Sequence, residues 1–243
     1  MQIIKLDATD STNDYLKTLT LSETLTDFTV VVAGQQLNGR GQMGTKWLSD
    51  PGKNLTFSVL KNNLHLSASD SFLLNVTVSI AIYKCLEALN VPDLYIKWPN
   101  DILSGSSKIC GILIENLLSG NKINTAIVGI GLNVNQLHFE SLQNVASLKL
   151  LLGRTFNVDE LLSLIVKNLK NVFSEWKEKG VDSLRETYKK TLFRKDKPST
   201  FEDRNGDLFM GFIRGISDYG KLVVELEDSI MEEFDLKEIR LLY

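Results

Sequence analysis

The sequence predicts an α+β fold: strands and helices interleaved up to about Arg194, then a small all-β module. Three observations predict it. Apolar runs of strand length, rich in β-branched residues, recur through the first half of the chain. Longer segments that are apolar at helical spacing lie among and after them. Beyond Arg194 the texture changes to short strand-like runs broken by turn residues. We read the domains as residues 1–194 and 195–243.

Taken in order, IIKLD (Ile3–Asp7) reads as a strand, and Asp10 or Ser11 can cap a short helix over Asn13–Leu19. FTVVVA (Phe28–Ala33) is a buried-strand run, and a glycine-punctuated loop runs from Gly34 to about Lys53. NLTFSVL (Asn54–Leu60) is a further strand. Ser69–Asn90 is mostly apolar at helical spacing, although Val76, Thr77, Val78 and Ile80 are β-branched and weaken helical preference. Leu94–Trp98 is a strand ending at Pro99. Lys108–Asn116 and Asn124–Gly131 form a strand pair with a turn at Ser119–Asn121. Asn157 with Glu160 resembles a capping box opening a helix to about Glu178, and Arg185–Phe193 is a further helix. In the last module, Asp207–Ile216, Gly220–Glu227 and Met231–Phe234 read as strands, with turns at Asn205-Gly206 and Asp218–Gly220. So small a module needs the first domain to pack against.

With 243 residues and 43% hydrophobic content, the chain can bury a substantial core. A net charge of −3 and a pI near 5.5 give no electrostatic case for nucleic-acid binding. No apolar run approaches the roughly 20 residues that span a bilayer, and the N-terminus lacks a basic segment followed by an apolar one. A cytoplasmic location without membrane association is therefore expected. Cys85 and Cys110 form no CxxC pair and read as buried thiols. His65 and His138 show no ligand spacing, so no metal site is expected within the protein.

Five constellations carry possible chemistry. In Gly39-Arg40-Gly41-Gln42-Met43-Gly44-Thr45-Lys46-Trp47 the glycines permit close backbone approach, Arg40, Lys46 and Lys53 add charge, and Trp47 offers a face to an aromatic base. The spelling contains GxGxxG, but the loop leads to Asp50-Pro51-Gly52 and a strand rather than a helix, so the dinucleotide reading fails. A surface loop with a packed Trp is the plain alternative. Lys97-Trp98-Pro99-Asn100-Asp101 presents an amide and a carboxylate after a strand, or simply makes an Asn-Asp turn. Lys108 opens an apolar strand, where it suits a carboxylate or phosphate or is only a solvated strand end. Gly111 marks a bulge or a close approach. Gly129-Ile130-Gly131-Leu132-Asn133-Val134-Asn135 ends a buried strand in two asparagines, with Asn133 free to bind a ligand or to close a turn. Ser11-Thr12-Asn13 places small polar groups at a helix start, which capping explains in part.

Together these resemble one family. The order STN, QQxxGRGxxGxxW, KWPND, KxxGILIE and GxGLNxN, then a small β module, is similar to the biotin–protein ligases over nearly the whole chain. The resemblance implies a mixed sheet with flanking helices, like class II aminoacyl-tRNA synthetases, followed by an SH3-like β-barrel. It implies that biotin contacts Ser11, Thr12, Asn13, Gln36, Gly39, Arg40, Gly41, Gln42, Lys108 and Gly111. It assigns Trp47, Asn100, Asp101 and Asn133 to the nucleotide, and Lys108, Arg40 and Asp101 to catalysis. ATP and biotin are the implied substrates, with Mg²⁺ on the phosphates. The implied partner is a biotin carboxyl carrier protein or domain, that of acetyl-CoA carboxylase being the family expectation, and a homodimer paired through an exposed strand edge is possible.

The chain departs from the family loop GRGRxGRxW, with Gln42 and Thr45 at the second and third arginines. Fewer cations there should loosen the hold on an acyl-adenylate. Relatives with a winged helix-turn-helix also repress an operon; this chain begins at the catalytic pattern, so no DNA-binding role is expected. The alternatives are a lipoate–protein ligase or octanoyltransferase of the same fold, and a non-catalytic biotin sensor.

Overall fold

The computed structural model describes residues 2–140 and 142–243, with Met43 described by its backbone alone. Strand β1 (Ile3–Thr9) leads into α1 (Thr12–Ser22), which Ser11 caps by accepting from the Asp14 N–H. Strands β2 (Val30–Gln36), β3 (Leu55–Lys61) and the short β4 (Leu66–Ser67) follow. Helix α2 (Phe72–Ala88) precedes β5 (Leu94–Lys97), β6 (Asp101–Ser104), β7 (Ser107–Ser119) and β8 (Lys122–Leu132). Then come α3 (Leu148–Leu152), α4 (Val158–Lys179) and α5 (Asp182–Thr191). Strands β9 (Pro198–Asp203), β10 (Leu208–Ile216), β11 (Leu222–Glu225), β12 (Met231–Phe234) and β13 (Ile239–Leu242) complete the chain.

The first eight strands form a mixed sheet in the order β1-β2-β3-β8-β7-β6-β5, with β4 beside β8. Only β1 and β2 run parallel; the remaining neighbours are antiparallel. β3 is buried along its whole length, which explains a sequence with little alternation. Helix α2 packs on the sheet and against α4, and its apolar character extends around the helix. The stretch Ala68–Ala88 is long and apolar enough by composition to cross a membrane, which corrects the expectation that no segment is. Most of this stretch is buried by its neighbours, so here that hydrophobicity fills the core.

The second sheet is antiparallel, in the order β12-β11-β10-β9-β13. It contains two strands that the pattern did not separate, β9 and β13. Phe201, Phe209 and Phe234 stack within it at centroid distances of 5.4 and 5.7 Å. It docks on the first sheet through the KWPND segment. Trp98 Nε1 donates to Gly220 O at 2.8 Å, Arg185 pairs with Asp218 at 2.7 Å, and Tyr243 packs on Phe193. The Trp98–Pro99 peptide bond is cis.

Candidate active site

Two adjoining cavities open on one face of the large sheet. The smaller, of about 250 Å³, is lined by residues that include Ser11, Thr12, Asn13, Gln36, Arg40, Trp47, Asn100, Asp101, Lys108 and Gly111. The larger groove, of about 870 Å³, shares Gln36, Arg40, Gly41 and Trp47 and adds His138 and Phe139. Gly39 lines only the groove, and Gln42 lines the smaller cavity.

The floor is made by glycines on adjacent strands. Gly111 of β7 pairs with Gly131 of β8, and Gly129 lies two residues before Gly131 on the same face. A Cβ at Gly131 would meet the Trp47 indole at 2.4 Å, and one at Gly129 would meet Asn13 Oδ1 at 2.4 Å. Bare backbone is thus what admits the Trp ring and the Asn amide. The loop from Gly39 to Trp47 doubles back, with Trp47 N–H donating to Gly39 O at 2.9 Å and Gly41 N–H to Thr45 O at 2.7 Å. The Trp47 Nε1 is buried without a hydrogen-bond partner among the described residues.

Lys108 reaches the cavity through a register shift. Asp101 pairs with Gly111 and Ile102 with Cys110, yet Leu103 pairs with Lys108, leaving Ile109 unpaired. The extra residue reverses the alternation, so Lys108 and Gly111 share a face although they are three apart. Lys108 Nζ lies 2.7 Å from Asp101 Oδ1 and 5.8 Å from the centre of the Trp47 ring. Behind this pair, burial pushes the Cys110 thiol far above its ordinary range, against the opposing pull of Lys108. Burial also lowers Lys97, which Asp101 raises and Lys108 lowers further.

Around the helix start a polar network is closed. Gln36 Oε1 accepts from the Thr12 N–H at 2.8 Å and lies 3.1 Å from Thr12 Oγ1. Ser58 Oγ, fully buried, lies 2.7 Å from Thr12 Oγ1 and 2.6 Å from Asn13 Oδ1. Asn13 Nδ2 donates to Glu115 Oε2 at 2.7 Å. Ser58 was not singled out from sequence, and Glu115 entered only as the last residue of KxxGILIE, without a role. Each sits inside a strand run where only the tertiary pairing brings it beside α1.

Two of the expected site residues are held by protein partners. Asn133 does not line either cavity: it is 3% exposed, and its side-chain amide donates to Ala146 O at 3.1 Å. Its backbone also binds Ile109 O and Leu148 N, so it fastens the segment that runs beside Lys108. The physical reason is that β8 ends inside the protein, where an amide must serve buried backbone groups. Arg40 lines both cavities, but its guanidinium binds Asp14 Oδ1 at 2.5 Å and Glu115 Oε2 at 3.0 Å. It is therefore not a free cation beside Lys108. Asn100 remains at the cavity, its amide donating to Ile112 O at 2.5 Å.

The chain matches the family model "Biotin/lipoate A/B protein ligase family" over residues 6–133. It is 29% identical over 210 residues to the bifunctional ligase/repressor BirA of Bacillus spizizenii, covering 83% of this chain and 63% of that protein. It is 35% identical over 131 residues, 53% of each chain, to the biotin–[acetyl-CoA-carboxylase] ligase of Paracoccus denitrificans. The fold superposes on the Aquifex aeolicus biotin protein ligase in complex with biotin and ATP, with a TM-score of 0.80 and 27% identity over 99% of this chain and 98% of that one. The chain thus spans less than two thirds of the length of the first of these relatives, and nearly all of the Aquifex chain. With the motif order, the mixed sheet and the glycine-floored cavity in agreement, the chain belongs to the biotin/lipoate A/B protein ligase family.

Proposed function

We propose that this protein is a biotin–protein ligase that activates biotin with ATP and transfers it to a lysine of a carboxyl carrier protein. The observation that carries the reading is the small cavity with the Lys108–Asp101 pair beside its glycine floor and the Thr12–Gln36 polar network in its lining. Its likeness to a biotin protein ligase in complex with biotin and ATP supports it. In this reading biotin occupies the small cavity, and the adjoining groove, with Trp47, His138 and Phe139, takes the nucleotide. The unpartnered Trp47 N–H fits a ligand that brings an acceptor.

The biotin carboxylate attacks the α-phosphorus of ATP; the new C–O–P link forms as the bond to pyrophosphate breaks. Two anions meet in that step, and Lys108 supplies the compensating charge beside the glycine floor. The carrier lysine then attacks the carbonyl, releasing AMP. Asp101, moving off Lys108, orients that amine or takes its proton as the amide C–N bond forms and the C–O bond to AMP breaks. Magnesium would travel on the nucleotide: Asp101 is the sole carboxylate lining the small cavity, and no cluster of His, Cys, Asp or Glu among the described residues suits an independent ion.

The test is mass spectrometry of a purified biotin-acceptor domain incubated with this protein, biotin, ATP and Mg²⁺, beside a parallel lipoate reaction. One biotin on one lysine, lost in Lys108→Ala, is the expected result. Acylation by lipoate alone would move the protein to lipoate ligation. Biotin binding without transfer or pyrophosphate release would make it a sensor.

A further inference from the structure

We propose that Glu115 is a positioning residue, holding the start of α1 and the glycine loop in a single arrangement through Asn13 and Arg40. The consequence for biotin rests on the ligase reading; the contacts do not. Glu115 lies on β7, with its side chain 23% exposed. Its Oε2 accepts from Asn13 Nδ2 at 2.7 Å and from Arg40 Nη2 at 3.0 Å, and its Oε1 lies 3.2 Å from the same Nη2. Arg40 also reaches Asp14 Oδ1 at 2.5 Å, so one guanidinium ties strand, loop and helix together.

The chemistry makes each contact directional. A carboxylate only accepts, so it fixes which end of the Asn13 amide faces it. With Nδ2 turned to Glu115 and Leu113 O, Oδ1 must face Ser58, 2.6 Å away. That network continues to Thr12 and Gln36 in the cavity wall. On the loop side, Arg40 bridges to Lys46 through its backbone, next to Trp47. Fixing the Arg40 side chain therefore limits how far Trp47 can leave the glycine floor. The pairs at Arg40 carry two negative charges against one positive, which keeps the guanidinium in place when a single anion competes for it. The sheltered Glu115 contributes more to this than the half-exposed Asp14.

Hydrogen exchange of the ligand-free protein tests the inference without any substrate. Glu115→Gln keeps an acceptor for Asn13 and loses the charge that holds Arg40. We expect about tenfold faster exchange in residues 39–47, with the second sheet unchanged. Arg40→Ala, at a side chain 43% exposed, should reproduce it, and the double variant should be no worse than the more affected single one. In Glu115→Gln biotin KM should rise about tenfold, while kcat changes by less than about twofold. Unchanged exchange in both single variants, or additive effects on it in the double, would overturn the proposal. Faster loop exchange in a protein that does not biotinylate a carrier would leave the clamp standing and remove the ligase reading instead.

Discussion

Adding one methyl group to the cavity floor should open the loop without unfolding the sheet. In Gly131→Ala the new Cβ would sit 2.4 Å from Trp47 Cε2 and 2.6 Å from Cζ2, where ordinary contact begins near 3.4 Å. The indole must then retreat by about 1 Å, the difference between those distances. A gap of that size forfeits roughly a quarter to a half of the dispersion energy of the contacts it stretches. Overpacking of this kind costs about 1–3 kcal/mol, which at about 1.4 kcal/mol per tenfold shifts loop opening roughly 5- to 150-fold. Gly111→Ala is the control. There the nearest atoms are Lys108 Nζ and Trp47 Cζ3, both at 3.2 Å, and a flexible lysine end can yield. The assay is the Trp47 component of the emission spectrum, taken as each protein minus its Trp47→Phe counterpart. It should shift to the red in Gly131→Ala and stay put in Gly111→Ala. Identical behaviour of the two variants, or a Gly131→Ala component like that of wild type, would refute the packing account.

Three further outcomes follow from the same geometry. Gln42→Arg restores a cation beside the small cavity and should slow escape of the acyl-adenylate by about tenfold, read by single-turnover release; an unchanged rate would dissociate leakage from this position. Asn133→Ala should lower stability by about 1–3 kcal/mol in urea, because buried backbone partners lose their donor, while the KM for ATP barely moves. A raised KM with unchanged stability would return Asn133 to the nucleotide. Stability should also fall in alkali. Burial raises Cys85 to about 12 and lifts Cys110 and Tyr188 further, so these groups stay protonated in the folded chain while the unfolded chain ionises. The contribution of the two thiols is complete below their ordinary value of 9.0 and that of Tyr188 below 10.0, and each is lost as pH rises past it, by at most about 1.4 kcal/mol per unit per group. A flat unfolding free energy from pH 8 to pH 11 would contradict that burial.

The sequence by itself determined the elements whose signals are local. Ser11 and Asn157 mark helix starts because each side chain caps its own next turn. The α2 segment reads as a helix despite its β-branched residues because its apolar positions are long enough in extent for a core helix. The resemblance assigned Thr12, Gln36 and Lys108 to biotin and Trp47 and Asp101 to the nucleotide; the fold brings all five to the lining of one cavity. Tertiary structure decided what those residues hold. Asp101 was legible as a carboxylate, but its pairing with Lys108 depends on the unpaired Ile109 that reverses the register between β6 and β7. The partners of Arg40 and Asn133 were hidden for the same reason. A spacing shows that a cation or an amide is present, whereas its partner comes from a strand far away in sequence: Glu115 for Arg40, the segment around Ala146 for Asn133. Ser58 carried no signal of its own, and Glu115 was legible only as the end of KxxGILIE, since a polar residue in a strand run reads as solvent-facing until the sheet and α1 close over it.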